Sequence, residues 1–155
     1  MSFCSAKHSI EEALATLKGK GLRVTEPRKA ILQVLAEVCR PISVEDLHNL
    51  VNERHNCDLA TVYRNMEACL EAGILQKCML ENGKILYELI NEEDHHHHII
   101  CRKCEKTERI DFCVGKEIES YGEKLGFSEV VHVLELYGVC GECQIDPRPG
   151  SGKES

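Results

Sequence analysis

Two cysteine pairs of the same spacing constrain this chain more than any other feature. Cys104 follows Cys101 after two residues, and Cys143 follows Cys140 in the same way. Two thiolates at this spacing chelate one ion from a tight turn, and two such turns complete a closed tetrahedral site suited to structural Zn²⁺. The four cysteines therefore predict a zinc site that ties the beginning of a C-terminal domain to its end. The alternatives are a redox Cys-x-x-Cys, which needs no second copy, and four buried free thiols, for which the doubled spacing would be a coincidence.

The cysteine content agrees with metal binding in a reducing compartment. The chain has 10 cysteines among 155 residues. No apolar run approaches the roughly 20 residues that span a bilayer, and residues 1–8 lack the apolar core of a signal peptide. We therefore expect a cytoplasmic protein without a membrane segment. In such a compartment thiols stay reduced, so metal ligation is favoured over disulfides.

Residues 1–90 have the pattern of a winged helix-turn-helix domain. Apolar residues at helical spacing predict four helices: 9–20, about 26–39, one that begins after Ser43, and 59–72. Ser9, Thr25, Ser43 and Asp58 are the predicted N-caps. The pattern then changes to two strands, 74–80 and 85–90, around an Asn-Gly turn that favours a hairpin.

The rest of the chain predicts a second, smaller domain. The acidic segment 91–94 is the predicted linker, and 95–145 is the predicted α/β dimerisation and metal-binding domain. Its pattern indicates a strand to Cys101, a strand at 107–112, a helix at 116–125 and a strand at 130–136. Residues 146–155 have no periodicity and predict a disordered tail. The expected fold class is α+β.

Four consecutive histidines, His95 to His98, precede the first cysteine pair. Neighbouring side chains of a strand point to opposite faces, so His95 and His97 serve one face and His96 and His98 serve the other. The run therefore predicts two separate metal sites. A polar loop and an expression tag are the alternatives, although a tag is seldom internal. Residues that could complete the two coordination spheres are Glu88, Asp111, Glu117, Glu119 and His132.

The fourth helix is the candidate recognition helix for double-stranded DNA. Its first turns carry Thr61, Tyr63, Arg64 and Asn65, and such turns face the major groove in winged helices. Tyr63 can contact a thymine methyl or a phosphate, and Arg64 a guanine edge or a phosphate. Five of the six charged residues from Lys18 to Lys29 are basic, and Arg23 among them is a candidate DNA contact. An ordinary solvated helix end and an amphipathic core helix are the alternatives.

These motifs together resemble the ferric uptake regulator family of metal-dependent repressors. The resemblance rests on 60–64 (Ala-Thr-Val-Tyr-Arg), on the histidine run leading into the first cysteine pair, and on 136–143. It covers about residues 9–143. It implies a homodimer with N-terminal winged helices, C-terminal dimerisation domains and a regulatory metal that closes the dimer onto an AT-rich palindrome.

The resemblance also assigns metal ligands, position by position. It places the structural zinc on the four paired cysteines, an interdomain regulatory site on His96, His98, Glu88 and Asp111, and another site on His95, His97, Glu119 and His132. Glu117 is the substitute for Glu119, because the stretch before His132 is several residues shorter than usual. Many members have a histidine where this chain has Cys39-Arg40-Pro41. Cys78 on the wing could replace that ligand, or the site could close with fewer protein ligands.

The regulatory metal expected from these features is zinc. Residues 126–132 and the unbroken histidine run look most like the zinc uptake regulator branch, and a thiolate such as Cys78 would favour Zn²⁺ over Fe²⁺. Tyr87-Glu88-Leu89 instead resembles the iron-sensing members, and the peroxide-sensing branch uses a similar carboxylate-rich set. Iron or manganese sensing and peroxide sensing are therefore the alternatives within the family.

Two other functional classes remain at this point. A zinc hydrolase would need an open metal position beside a general base, which His96, His98 and Glu88 could imitate. A metal buffer would need no recognition helix. We expect a protein that is not an enzyme, because the winged helix is explained only by DNA binding.

Overall fold

The structure, a computed structural model, describes residues 6–90 and 95–146. The chain forms two compact units, the first ending at Glu92 and the second beginning at Glu93. The predicted linker at 91–94 and the predicted tail, from 147 onward, lie outside the described residues. Within the described ranges, no helix is both long and apolar enough to cross a bilayer.

The first unit contains the four predicted helices: α1 (Ala6–Gly19), α2 (Glu26–Val38), α3 (Val44–Asn52) and α4 (Leu59–Glu71). Three of the predicted N-caps are confirmed. The side chains of Thr25, Ser43 and Asp58 accept hydrogen bonds from the third amide that follows each of them, at 3.4, 3.2 and 2.7 Å. The fourth prediction is wrong, because α1 begins at Ala6 and Ser9 therefore lies inside the helix.

The predicted wing follows α4. Strands β1 (Leu75–Met79) and β2 (Ile85–Leu89) pair antiparallel, with Leu75 opposite Leu89. Gly83 has a φ of 83° in the connecting turn, a value that glycine adopts without steric cost. Ile42 pairs with Tyr87 in an isolated bridge, which fixes the wing to the segment before α3.

The core of the first unit determines which face of α4 remains outside. Val62 is fully buried and Met66 is 1% exposed, whereas Tyr63 is 40% exposed. Helix α4 is therefore anchored by its apolar face, and Tyr63 and Arg64 point to solvent. The largest fully buried side chains of this core include Leu17, Ile31, Leu32, Ile42, Leu47 and Met66.

The second unit is a three-stranded sheet with two helices: β3 (His97–Cys101), β4 (Thr107–Ile110), α5 (Gly115–Lys124), β5 (Glu135–Gly138) and α6 (Gly141–Ile145). The strand order is β4-β3-β5, with β4 antiparallel and β5 parallel to the central β3. Helix α6, which carries Cys143, was not predicted.

The last strand was predicted at 130–136 but begins at Glu135. In the parallel pairing, Glu135 lies opposite His98 and Gly138 opposite Cys101. Residues before Glu135 therefore extend toward and beyond the beginning of β3. Val131 and Val133 are 83% and 86% exposed, and among the described residues they pair with no other strand.

Candidate metal centres and nucleic-acid interface

The outer face of α4 presents the predicted DNA-reading side chains. The hydroxyl of Tyr63 donates to Glu45 Oε1 at 3.0 Å, and Nη2 of Arg64 donates to Thr61 Oγ1 at 3.0 Å. Both side chains are exposed, and water or a nucleic acid can replace the partner of each bond. The helix therefore offers Tyr63, Arg64 and the partly buried Thr61 on one accessible surface.

Asn65 lies on the other side of α4. It is 8% exposed, its Nδ2 donates to the carbonyl of Thr61 at 2.8 Å, and its Oδ1 accepts from Nε of Arg28 at 3.0 Å. A buried amide with both ends bonded has little capacity for a base edge. The prediction of Asn65 as a DNA contact is therefore corrected: its side chain links α2 to α4.

In the basic segment at the beginning of α2, some of the charged side chains bond to other groups of the same segment. Arg28 Nη1 donates to the carbonyl of Arg23 at 2.5 Å, and Lys29 Nζ pairs with Glu26 Oε1 at 2.9 Å. The side chain of Arg23 is exposed, whereas its carbonyl is held by Arg28. Arg23 therefore has a backbone that is held in position and an exposed side chain that can contact a polyanion such as DNA.

The four paired cysteines converge in the second unit, as predicted. Cys101 ends β3, Cys104 closes the turn that follows, Cys140 lies after β5 and Cys143 is in α6. The four Sγ atoms all lie within 4.8 Å of one another, and Cys104 Sγ is 3.6 Å from Cys140 Sγ. Tetrahedral Zn²⁺ with bonds of about 2.3 Å requires S···S distances of about 3.8 Å. The cluster therefore fits a closed four-thiolate zinc site.

The charges of these thiols differ in the metal-free chain. Hydrogen bonds from the amide of Cys140, at 3.3 Å, and from the amide of Cys104 lower the pKa of Cys101 to about 6. Burial raises the pKa of Cys143 to about 12. The protein stabilises one thiolate by itself, and a divalent cation would supply the charge that deprotonates the others.

A second cluster joins three imidazoles and one thiol. The Nε2 atoms of His95 and His97 are 3.2 Å apart, and Nε2 of His132 lies 3.0 and 3.4 Å from them. Sγ of Cys113 is 3.2 Å from His95 Nε2 and 3.3 Å from His132 Nε2. A tetrahedral ion with Zn–N bonds of about 2.0–2.1 Å requires N···N distances of about 3.3 Å. These four atoms have the spacing of one tetrahedral coordination sphere.

The groups around this cluster fix its orientation. Glu119 Oε1 lies 2.7 Å from Nδ1 of His132, so the other ring nitrogen faces the cluster. The amide of Gly115, the first residue of α5, donates to Cys113 Sγ at 3.1 Å. Burial, followed by the neighbouring His95 and His132, lowers the pKa of His97, which keeps its ring in the neutral form that binds metals.

The predicted members of this second site are thus placed in two different roles. His95, His97 and His132 come together, whereas Glu119 contacts the far side of the His132 ring and Glu117 is exposed. Cys113 was not predicted. The sequence indicates Cys113 only weakly as a ligand, because it belongs to no cysteine pair of a recognised spacing. Its position just before α5 is the one feature that distinguishes it.

The residues predicted for the interdomain site belong to both units. In the second unit, the rings of His96 and His98 pack edge to face with centroids 4.8 Å apart, and Asp111 forms an ion pair with Arg109. In the first unit, Glu88 lies on β2 and accepts from Gln76 Nε2 at 3.1 Å, and Cys78 lies on β1 opposite Leu86. His96 and His98 lie in a group separate from that of His95 and His97, as the alternation predicted.

Comparisons with known proteins agree with these features. Residues 19–137 match the ferric uptake regulator family. The ferric uptake regulation protein of Neisseria gonorrhoeae is 39% identical over 137 residues, covering 84% of this chain and 92% of that protein. The peroxide operon regulator of Bacillus subtilis is 31% identical over 140 residues, covering 89% and 95%. The crystal structure of the Vibrio cholerae ferric uptake regulator has a TM-score of 0.69 at 34% identity, covering 81% of this chain and 98% of that one.

The matches extend over both units and not only over one motif. The first unit is the winged-helix DNA-binding domain and the second is the dimerisation domain, which confirms the predicted α+β architecture. The family consists of metal-responsive transcriptional regulators that bind DNA as dimers, and it is not a family of enzymes. The chain belongs to the ferric uptake regulator family, because its sequence identity agrees with the presence of the winged helix, the cysteine cluster and the histidine run.

Proposed function

We propose that this protein is a metal-dependent transcriptional repressor that binds an operator as a homodimer and controls genes for metal uptake. The observation that carries the proposal is the pairing, in one chain, of an exposed recognition helix with preformed clusters of metal-binding side chains. An enzyme or a metal buffer would account for the clusters but not for the winged helix. A regulator accounts for both.

The proposed DNA contacts are Thr61, Tyr63 and Arg64 on α4 and Arg23 in the loop before α2. The side chains of Tyr63, Arg64 and Arg23 are exposed, which supports this assignment, and the first two bond to partners that DNA can replace. The net charge of the whole chain is -7, so general attraction to DNA is not expected to suffice. Base contacts in an AT-rich palindrome would have to supply most of the discrimination.

The proposed dimer interface is the apolar surface of the second unit. Regulators of this family act as dimers, which supports a second copy of the chain as the partner of this surface. The amount of exposed apolar surface also supports it, because monomeric proteins rarely leave large apolar patches in water. The large hydrophobic residues that are at least half exposed in this unit are Phe112, Ile118, Tyr121, Leu125, Phe127, Val131, Val133 and Ile145.

The proposed regulatory site consists of His96, His98, Glu88 and Asp111, and this part of the proposal rests on the sequence resemblance. The adjacent His96 and His98 rings support it, whereas Asp111 would have to leave Arg109 in order to bind an ion. A bound ion would supply charge and coordination only, with no reaction. Because its ligands come from both domains, such an ion would restrict the orientation of the DNA-reading domain.

For the regulatory metal we propose Zn²⁺, acting as co-repressor, in addition to the structural zinc of the four cysteines. The likeness of the histidine run to the zinc-sensing branch supports this choice. Iron or manganese sensing is the second candidate, favoured by the 39% identity to a ferric uptake regulation protein, and peroxide sensing is the third. A repressor of this kind would act in the cytoplasm, where its operator is.

The test is a DNA-binding titration with Zn²⁺, Fe²⁺ and Mn²⁺ in parallel, on the dimer that retains its cysteine-bound zinc. We expect tighter binding to a palindromic operator with Zn²⁺ than with the other two ions, and little change on random DNA. The control is Tyr63→Ala, which should lose the operator preference while its metal content stays the same. Metal-independent DNA binding, or metal-dependent turnover of an ester or amide without DNA binding, would overturn the proposal.

A further inference from the structure

The cluster of His95, His97, His132 and Cys113 has a ligand set that neither the sequence motifs nor the family resemblance assigns. All four ligand atoms lie within 4.8 Å of one another, and the five distances described above are 3.0–3.4 Å. The cluster is therefore complete with four protein ligands. No carboxylate is needed for tetrahedral coordination.

Glu119 is excluded from that sphere by the side of the imidazole that it contacts. Its Oε1 lies 2.7 Å from Nδ1 of His132, whereas the cluster is built on Nε2 of the same ring. The two nitrogens point in different directions across the ring, so a carboxylate bonded to Nδ1 does not reach an ion on Nε2. Such a carboxylate fixes the tautomer and the ring orientation of a ligating histidine.

Cys113 is held as a ligand by the beginning of α5. The amide of Gly115 donates to its Sγ at 3.1 Å, which orients the sulfur and offsets the charge of a thiolate. Gly115 also makes room for the adjacent ring. A Cβ on this residue would lie 1.9 Å from Cε1 of His132, well inside van der Waals contact.

We propose that Cys113, and not Glu119, is the fourth ligand of this site, and that the site therefore selects a thiophilic tetrahedral ion such as Zn²⁺ or Co²⁺ over Mn²⁺ and Fe²⁺. Thiolate and imidazole ligands favour such ions, whereas carboxylate ligands suit Mn²⁺. On binding, Cys113 loses its proton to solvent and forms one metal–sulfur bond. Glu119 is a positioning residue that acts through His132.

The inference deepens the proposed function, and its main test does not involve DNA. Full-length protein with its cysteine-bound zinc in place is titrated with Co²⁺, and absorption is recorded in the region of sulfur-to-Co²⁺ charge transfer. We expect a charge-transfer band that saturates with one ion per chain. Zinc content is measured in parallel, so that any exchange of Co²⁺ into the four-cysteine cluster is detected.

The decisive variant is Cys113→Ser, and the matched control is Cys57→Ser, which removes a cysteine outside the metal-binding clusters described above. We expect Cys113→Ser to lose the charge-transfer band and Cys57→Ser to keep it. A band that survives in Cys113→Ser, or that disappears in Cys57→Ser, would overturn the assignment. Cys113→Asp should shift the preference of the site toward Mn²⁺ in competition with Zn²⁺.

The positioning role of Glu119 has its own signature. Glu119→Ala should weaken Co²⁺ binding by about 10–100-fold and keep the charge-transfer band at saturation. Glu119→Gln should restore most of the affinity, because its amide oxygen still accepts from Nδ1 of His132. If Glu119 were a ligand, Glu119→Ala would change the ligand-field spectrum at saturation, and the proposal would be wrong.

Gly115→Ala tests the steric requirement. The added methyl group should displace His132 and abolish Co²⁺ binding at this site, while the four-cysteine zinc remains. Gly141→Ala is the control at the equivalent first position of α6, where a Cβ would meet nothing within 4 Å. Normal Co²⁺ binding in Gly115→Ala would contradict the geometry. If the Co²⁺ experiments succeed but metal has no effect on DNA binding, only the proposed function fails.

Discussion

Nε of Arg28 donates a hydrogen bond to Oδ1 of Asn65 at 3.0 Å, joining α2 to the recognition helix α4. The same amide donates to the carbonyl of Thr61, one turn earlier in α4. Asn65 is nearly buried, so its polar atoms depend on these two partners. The orientation of the proposed DNA-reading face is therefore supported by Asn65, whose side chain does not belong to that face.

This bond predicts that Asn65→Ala destabilises the first domain by about 1–3 kcal/mol, because the partners of a buried amide lose a bond that water does not replace. Chemical denaturation measures the change. Arg64→Ala, an exposed substitution in the preceding position, should stay within about 0.5 kcal/mol of the wild type. An Asn65→Ala variant of unchanged stability with selective loss of operator binding would instead restore Asn65 as a DNA contact.

Tyr63→Ala and Arg64→Ala should each cost about 1–3 kcal/mol in binding to the specific operator. The reason is that their side chains are exposed on the outer face of α4, where a base edge can be contacted. Binding to operator and to random DNA is compared at one salt concentration. Equal losses on the two DNAs for Arg64→Ala would show that it contacts only phosphate.

Arg23→Ala should weaken binding to operator and random DNA alike, because a loop cation that reads little sequence contributes mainly counterion release. The measurement is affinity against salt concentration, whose logarithmic slope should fall by about 1. Lys84→Ala, at the tip of the wing turn, serves as a comparison in another basic position of the same domain. An unchanged slope in Arg23→Ala would remove it from the interface.

Cys101→Ser and Cys140→Ser should abolish dimerisation and lower the melting temperature strongly. Structural zinc sites contribute about 10–16 kcal/mol of binding free energy that is coupled to folding. Zinc content, sedimentation and thermal unfolding test this together, with Cys78→Ser as the control. A variant of either cysteine that stayed dimeric and metal-responsive would contradict the structural assignment.

His96→Ala combined with His98→Ala should leave a folded dimer with its four-cysteine zinc, but with weak DNA binding that metal no longer raises. A metal that stabilises the binding-competent arrangement by about 2.7 kcal/mol raises DNA affinity about a hundredfold, and linkage requires operator DNA to tighten the metal by the same factor. His95→Ala with His97→Ala is the matched pair on the other face. If the His96→Ala, His98→Ala variant kept the metal dependence of the wild type, the regulatory metal would have to bind at the site of His95 and His97.

The first domain could be predicted closely because its signals are local. Thr25, Ser43 and Asp58 each begin a helix by a hydrogen bond within three residues, and the Asn-Gly turn fixes the wing without any distant contact. The four-cysteine cluster could be predicted equally well, because the spacing of the two cysteine pairs itself indicates a zinc site. The beginning of α1 was missed because no local rule distinguished Ser9 from the residues before it.

The second domain was predicted less well because its decisive contacts are distant in sequence. The beginning of β5 depends on its parallel register with β3, which the valines of 130–133 do not reveal. Likewise, Cys113 becomes a candidate ligand only when α5 brings it to His95 and His132, 18 and 19 positions away. Glu119 was the natural choice from the sequence, because the family resemblance assigns a carboxylate to this site and the direction of a ring nitrogen cannot be read from a sequence.

The histidine run at the beginning of β3 has a consequence for the fidelity of folding. Because His95 to His98 are identical, a slip by one residue would still place histidine at three of the four positions, so the imidazoles discriminate only weakly against the slipped alignment. The residues that follow do: Ile100 is 1% exposed, and Cys101 must reach the other three cysteines. A slipped strand would turn Ile100 to the wrong face and withdraw Cys101 from its cluster. Ile100 and Cys101 therefore specify the register of β3, which the four identical histidines define only weakly.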